Sequence, residues 1–93
     1  MEIIGTIKKV LDPVSGENEK GFWTRRAVII EPVNTQRNIC VEYSGEEWSK
    51  KLGALDEGEL LKVYFNVESN EFEGKWYTRL KGYGMQPFTR VAE

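Results

Sequence analysis

The chain has 93 residues, 30% of them charged and 40% hydrophobic, with a formal net charge of −2. That length bounds it to one domain, residues 1–93, around one modest core. Cys40 is the only cysteine and there is no histidine, which excludes an internal disulfide, a zinc site of His or paired Cys ligands, and a Ser–His or Cys–His nucleophile pair.

The opening "MEIIGTIKKVLD" reads as a first strand, with Gly5 marking a bend or a close approach. It lacks the long apolar stretch and small-residue cleavage site of a signal peptide, so the expected location is the cytoplasm. No apolar run in the chain approaches the length of a membrane span. "PVSGENEK" is rich in turn formers and is expected to be a polar loop. "GFWTRRAVIIEP" is a second strand, ended by Pro32. Its alternation points Val28 and Ile30 inward and Trp23, Arg25, Ala27 and Ile29 outward. After the turn "VNTQR" comes a third strand, "NICVEYS", with Ile39, Val41 and Tyr43 inward and Cys40 and Glu42 outward. Nothing near Cys40 in sequence would lower its pKa, so it is read as an unreactive thiol.

"SGEEWSKKLGALDEG" breaks the strand pattern. Ser44 and Glu47 have capping-box spacing, which predicts a helix start. Trp48 and Leu52 share one face of that helix, and Gly53 suits its C′ position. About two turns of helix cannot stand alone and must plug an apolar opening; Trp48 is expected to lie under it. "GELLKVYFNVES" is a fourth strand, with Leu61, Val63, Phe65 and Val67 on one face. "NEFEG" is a hairpin turn. "KWYTRLKGYGM" is a fifth strand, with Trp76, Thr78, Leu80 and Gly82 assigned to the interior and Tyr77, Arg79, Lys81 and Tyr83 to the outside. Gly82 and Gly84 are expected to loosen its end. The sum is all-β: a five-stranded OB-fold barrel with a short α-helix between strands three and four. An SH3-like barrel, the main rival, does not usually carry a helix there.

A pI near 5.3 argues against binding nucleic acid by bulk charge. The basic residues are nevertheless segregated. Lys20, Arg25 and Arg26 fall in one acid-free stretch, and Lys75, Arg79, Lys81 and Arg90 in another. Both stretches are also rich in aromatics. Single strands expose flat bases and a charged backbone, which aromatic faces stack and Lys or Arg neutralise. Trp23, Tyr77, Tyr64 and Phe72 are the stacking candidates; Arg25, Lys75, Arg79 and Lys81 are the phosphate candidates. Arg79 reads equally well as a solvated strand residue. Trp23, outside the aliphatic phase and beside Arg25, calls for a partner, either a base or another protein surface. Asp56, Glu57 and Glu59 read as a solvated turn rather than a carboxylate site. "KGYGM" is no phosphate loop, since no helix follows it.

The segment from Tyr43 to Ser69, with Trp48, Gly58 and Val63, resembles the strand–helix–strand segment of bacterial single-stranded DNA-binding proteins. "GFWTRRAVII" and "EFEGKWYTRLKGYG" resemble the same family's second strand and its last hairpin. The whole chain is similar to a family of small uncharacterised bacterial OB-fold proteins related to those binders. The similarity is carried by Glu2, Ile3, Gly5 and Ile7; Trp23, Val28 and Ile30; Gly45 and Trp48; and Phe72, Gly74, Trp76, Tyr77 and Thr78. That similarity names no activity; the resemblance to the single-stranded DNA-binding proteins, with the aromatic and basic residues above, implies non-catalytic binding of single-stranded DNA, or of RNA, with no cofactor. The acidic partner-recruiting tail of the typical binders has no counterpart in "QPFTRVAE", and the turn between strands four and five is very short. A homo-oligomer is expected, because one barrel of this size offers a small binding surface. The rival reading is a protein-interaction barrel that uses the same face to assemble without nucleic acid.

Overall fold

The computed structural model describes residues 1–35 and 37–88. Six strands and one helix follow in order: β1 (Glu2–Val10), β2 (Val14–Asn18), β3 (Gly21–Pro32), β4 (Ile39–Ser44), α1 (Glu46–Gly53), β5 (Leu60–Phe72) and β6 (Lys75–Pro87). The sheet order is β1-β5-β6-β4-β3-β2, and β1 also pairs with β3, which closes the ring. The five predicted strands, β1, β3, β4, β5 and β6, build that barrel. All ladders are antiparallel except β4–β6. Arg90, the last residue of the second basic stretch, lies outside the described residues.

The period-2 pattern delivers the core. Ile7, Val28, Ile30, Val41, Tyr43, Leu61, Val63 and Phe65 are buried, joined by Leu52 of α1. Trp48 packs on this cluster, its ring centroid 4.5 Å from that of Tyr43. The helix therefore plugs one end of the barrel, as its amphipathic spacing predicts. Its cap differs from the expectation. Ser44 is still in β4, opposite Arg25, so the N-cap falls on Gly45 at φ 104° with no side-chain cap. Gly53 is the last helical residue rather than the C′ glycine.

Two differences extend the sheet beyond the predicted barrel. The polar "VSGEN" is strand β2, paired with β3 from Val14↔Arg25 to Asn18↔Gly21. It has no apolar face and is held by its backbone ladder and by the Ser15–Thr24 hydroxyl hydrogen bond of 2.9 Å. The second difference is an arm. The turn between β5 and β6 is short, at Glu73–Gly74, with both φ angles positive, as a tight hairpin needs. The two strands, however, run on well past the core. From Asn66 to Arg79 every residue is exposed. The radius of gyration is 14.5 Å, against about 12 Å for a compact chain of this length, and the long axis is 53 Å. Trp76 and Thr78 therefore do not enter the barrel interior: the alternation continues, but nothing covers it. Trp76 is 67% exposed, and Val67, assigned with the core face of its strand, is 47% exposed.

Gly82 does not loosen β6. A side chain there would run into the Tyr43 ring. The Tyr43 hydroxyl donates to the Gly84 carbonyl at 2.9 Å, and burial pushes its pKa up. Arg26 holds the other inward position that the pattern alone leaves unexplained. Its Nε donates to Leu11 O at 2.7 Å and its Nη1 to Ser49 O at 3.1 Å. These bonds tie β3 to α1 and to the segment after β1 at the plugged end.

Candidate nucleic-acid interface

The β3–β4 register sets Arg25 opposite Ser44, Ala27 opposite Glu42 and Ile29 opposite Cys40. Glu42 in turn lies beside Lys81 of β6. Directly opposed residues share a face, so these side chains form one outer surface across three strands. Alternation carries it to Trp23 on β3 and to Arg79, Tyr77 and Lys75 on β6. On β5 the same face presents Tyr64 and, across from Lys75, Phe72. All eight sequence candidates thus lie on one side of the sheet.

They do not form one cluster. Trp23 is four residues from the Ala27–Glu42–Lys81 row in one direction along the strands. Tyr77 is four residues from it in the other. At about 3.3 Å per residue the two aromatics stand about 26 Å apart along the sheet. Trp23 and Arg25 mark one end; Phe72, Lys75 and Tyr77 lie on the arm at the other; Arg79 and Lys81 sit between. Tyr64 stands apart, with Tyr83 at 6.1 Å between ring centroids and the Lys62 ammonium 5.6 Å from its ring. The β-bulge between Tyr64 and Phe65 is what brings Tyr83 there, and no local sequence signal announces it.

Each end is built differently. Trp23 is half-buried and lies against Gly16, its cross-strand partner in β2. A Cβ at Gly16 would fall 2.6 Å from the indole Cζ2, so only glycine lets the ring settle there. The Arg25 guanidinium lies 5.2 Å from the ring centroid, a cation–π distance. Phe22, Trp23, Thr24, Ser44, Gly45 and Glu46 border an open groove of about 450 Å³ beside this end. On the arm, by contrast, Phe72 and Tyr77 are 64% and 51% exposed.

The middle of the face is electrically mixed. Lys81 Nζ is 2.8 Å from Glu68, and Arg79 Nε is 4.0 Å from Glu42. Two of the four phosphate candidates therefore face a carboxylate. Exposed pairs of this kind contribute about 0–1 kcal/mol, so a phosphate can compete for them, but they lower the positive potential. Among the described residues, Arg25 and Lys75 have no carboxylate within ion-pair distance. Cys40 is exposed on the same face, and its thiol pKa is raised, by partial desolvation first and then by Glu42, which disfavours the reactive thiolate. Sequence reasoning passed over Trp76, which it placed in the core, and over Phe22 and Tyr83, 64% and 56% exposed. Trp76 lies on the opposite face of the arm, across from Glu71. Among the described residues, no cluster of His, Cys, Asp or Glu could hold a metal ion, and no helix is long and apolar enough to cross a membrane.

A closed, mostly antiparallel ring with one short helix plugging it between β4 and β5 is an OB-fold barrel. Its likeness to solved structures agrees. The mitochondrial single-stranded DNA-binding protein Rim1 of S. cerevisiae matches with a TM-score of 0.66 at 14% identity, over 98% of this chain and 96% of that one. The second single-stranded DNA-binding protein (SSBb) of Mycobacterium smegmatis matches with a TM-score of 0.63 at 16% identity, over 100% and 94%. A deletion mutant of the Thermus aquaticus single-stranded DNA-binding protein matches with a TM-score of 0.61 at 14% identity, over 99% of this chain and 42% of that one. At such identities the likeness shows the fold. By sequence, the chain belongs to the DUF3127 family, a domain of unknown function, whose family model matches residues 2–86. No curated protein matches it.

Proposed function

We propose that this protein binds single-stranded nucleic acid, DNA in the first instance, along the outer face of β3, β4 and β6, without catalysis. Trp23 and Tyr77 stack bases at the two ends, with Phe72 and Tyr64 as further stacking surfaces. Arg25 and Lys75 contact phosphates directly, and Arg79 and Lys81 do so by exchanging their carboxylate partners. The observation that carries the reading is that aromatic and basic side chains share one face of an OB barrel whose structural relatives are single-stranded DNA-binding proteins. Each good stack contributes about 1–3 kcal/mol, so two stacks and a few phosphate contacts support micromolar binding at low salt. RNA would need a contact to the 2′-hydroxyl to be preferred. We place the protein in the bacterial cytoplasm and propose that it assembles with copies of itself.

A second reading, a protein-interaction barrel without nucleic acid, is favoured by one observation: the far face of the arm also exposes Trp76 and Val67. Fluorescence-anisotropy titration of labelled oligo-dT at low and moderate salt separates the two. The strand-binding reading expects affinity that falls steeply with salt, because phosphate contacts release counterions. It also expects weaker binding by Trp23→Ala and Arg79→Ala. Absence of binding by the wild type at low salt would sink it and leave the protein interface.

A further inference from the structure

Between the segment joining β1 to β2 and the outer face of β3–β4 lies a groove of about 240 Å³, lined among others by Leu11, Val14, Arg25, Ala27, Cys40 and Glu42. The small side chains of Ala27 and Cys40 leave room between their longer neighbours. Leu11 and Val14 make one side apolar. Four charged residues border the same space, Asp12, Arg25, Arg26 and Glu42; the Arg26 guanidinium is committed to Leu11 O and Ser49 O, which leaves Arg25 and the carboxylates of Glu42 and Asp12 to meet a ligand. Arg25 and Glu42 are diagonal neighbours in the β3–β4 ladder, since Arg25 faces Ser44 and Ala27 faces Glu42; such positions are about 7–8 Å apart. Among the described residues they form no ion pair with each other. Arg25 lies over Trp23 instead, and Glu42 meets Arg79 only at 4.0 Å.

A carboxylate here is wrong for a phosphate, which it repels, and right for a base that donates hydrogen bonds. An ionised carboxylate only accepts, and a guanidinium only donates. A ligand edge that answers both must carry paired donors beside acceptors. Guanine has N1–H and N2–H₂ for the carboxylate, and O6 and N7 for the arginine. Thymine offers one donor, N3–H, flanked by two carbonyl oxygens that a carboxylate repels. We propose that this groove takes a guanine base of a single strand, read by Glu42 and Arg25, and that the protein therefore prefers guanine-containing strands. The inference rests on the strand-binding reading above and gives it a base preference: with five N–H donors, Arg25 meets the base edge inside the groove and the adjoining phosphate outside it.

The test uses the full chain and three labelled fifteen-nucleotide probes: oligo-dT, five TTG repeats, and the same repeats with inosine, which lacks the N2 amine. The spaced guanines avoid quadruplexes. The TTG probe is expected to bind about fivefold or more tighter than oligo-dT, as one bidentate base contact provides. The inosine probe is expected to lose much of that margin. In Glu42→Gln the ratio of TTG to oligo-dT affinity is expected to fall to about one; taking the ratio within one variant cancels any general effect on folding or strand affinity. Equal wild-type affinity for TTG and oligo-dT overturns the guanine site while leaving strand binding intact. So does a preference that survives Glu42→Gln. If no probe binds at low salt, strand binding itself is refuted, and the guanine site with it.

Discussion

Arg25 and Arg26 are adjacent in sequence and opposite in role, which makes them a sharp test of the architecture. Consider Arg26→Met, which keeps much of the length and the apolar stem but removes the guanidinium. Two charged-donor hydrogen bonds are lost, to Leu11 O at 2.7 Å and Ser49 O at 3.1 Å. Bonds to charged groups contribute about 1.5–3 kcal/mol each. The site is only part-buried, so water can replace some of what is lost, and the expected cost for both is about 2–3 kcal/mol. For a domain this small each kcal/mol moves Tm by about 4–8 °C, so a fall of about 10–20 °C is expected. Arg25→Met removes only the cation–π contact with Trp23, about 0.5–1 kcal/mol when exposed, or a few degrees. Thermal unfolding followed by circular dichroism reads both. Oligo-dT affinity should show the reverse order, with Arg25→Met the weaker binder. Equal Tm losses for the two variants, or an Arg26→Met protein as stable as wild type, would refute the assignment of Arg26 to the plug and Arg25 to the binding face.

Three further outcomes are expected. Gly82→Ala forces the buried Tyr43 ring aside and should cost about 1–3 kcal/mol in urea unfolding, as overpacking does; a neutral result would contradict the close approach of β6 to β4. Trp76→Ser should change stability by less than about 0.5 kcal/mol, because the side chain is 67% exposed; a large loss would restore Trp76 to the core. Cys40 should alkylate more slowly at neutral pH than a free small-molecule thiol, since its raised pKa leaves less thiolate. Glu42→Gln should speed the reaction only in part, because burial, the larger cause, remains; an unchanged rate would show that Glu42 does not act on the thiol.

The barrel was legible because burial enforces a period of two. Val28 and Ile30, Val41 and Tyr43, and Leu61, Val63 and Phe65 each declare an inner face, and the structure buries all of them. What the pattern cannot say is where the barrel ends. Trp76 and Thr78 continue the alternation of Leu80 and Gly82, so their exposure depends on how far neighbouring strands reach. Strand β2 escaped notice for the complementary reason: its one covered position is Gly16 under the Trp23 ring, so no apolar alternation marks it as a strand. The helix start was displaced because Ser44 is claimed by the β3 ladder, a long-range contact that local capping chemistry does not register. The outward direction of the candidate residues followed from strand parity. The spread of about 26 Å between Trp23 and Tyr77 did not, because it depends on the parallel β4–β6 pairing between segments far apart in sequence. The same pairing is what places Glu42 among the basic residues.

The three tryptophans offer the most direct test of the central claim. Trp23 lies on the proposed strand-binding face, Trp76 on the far face of the arm, and Trp48 under the helix against Tyr43. An NMR titration of ¹⁵N-labelled protein with unlabelled oligo-dT, watching the indole N–H signals assigned by substitution, reads all three at once. The account predicts a large shift for Trp23, a small one for Trp76 and none for Trp48. Shifts led by Trp76 or Trp48 with Trp23 unmoved, or no shifts at all at low salt, would contradict it.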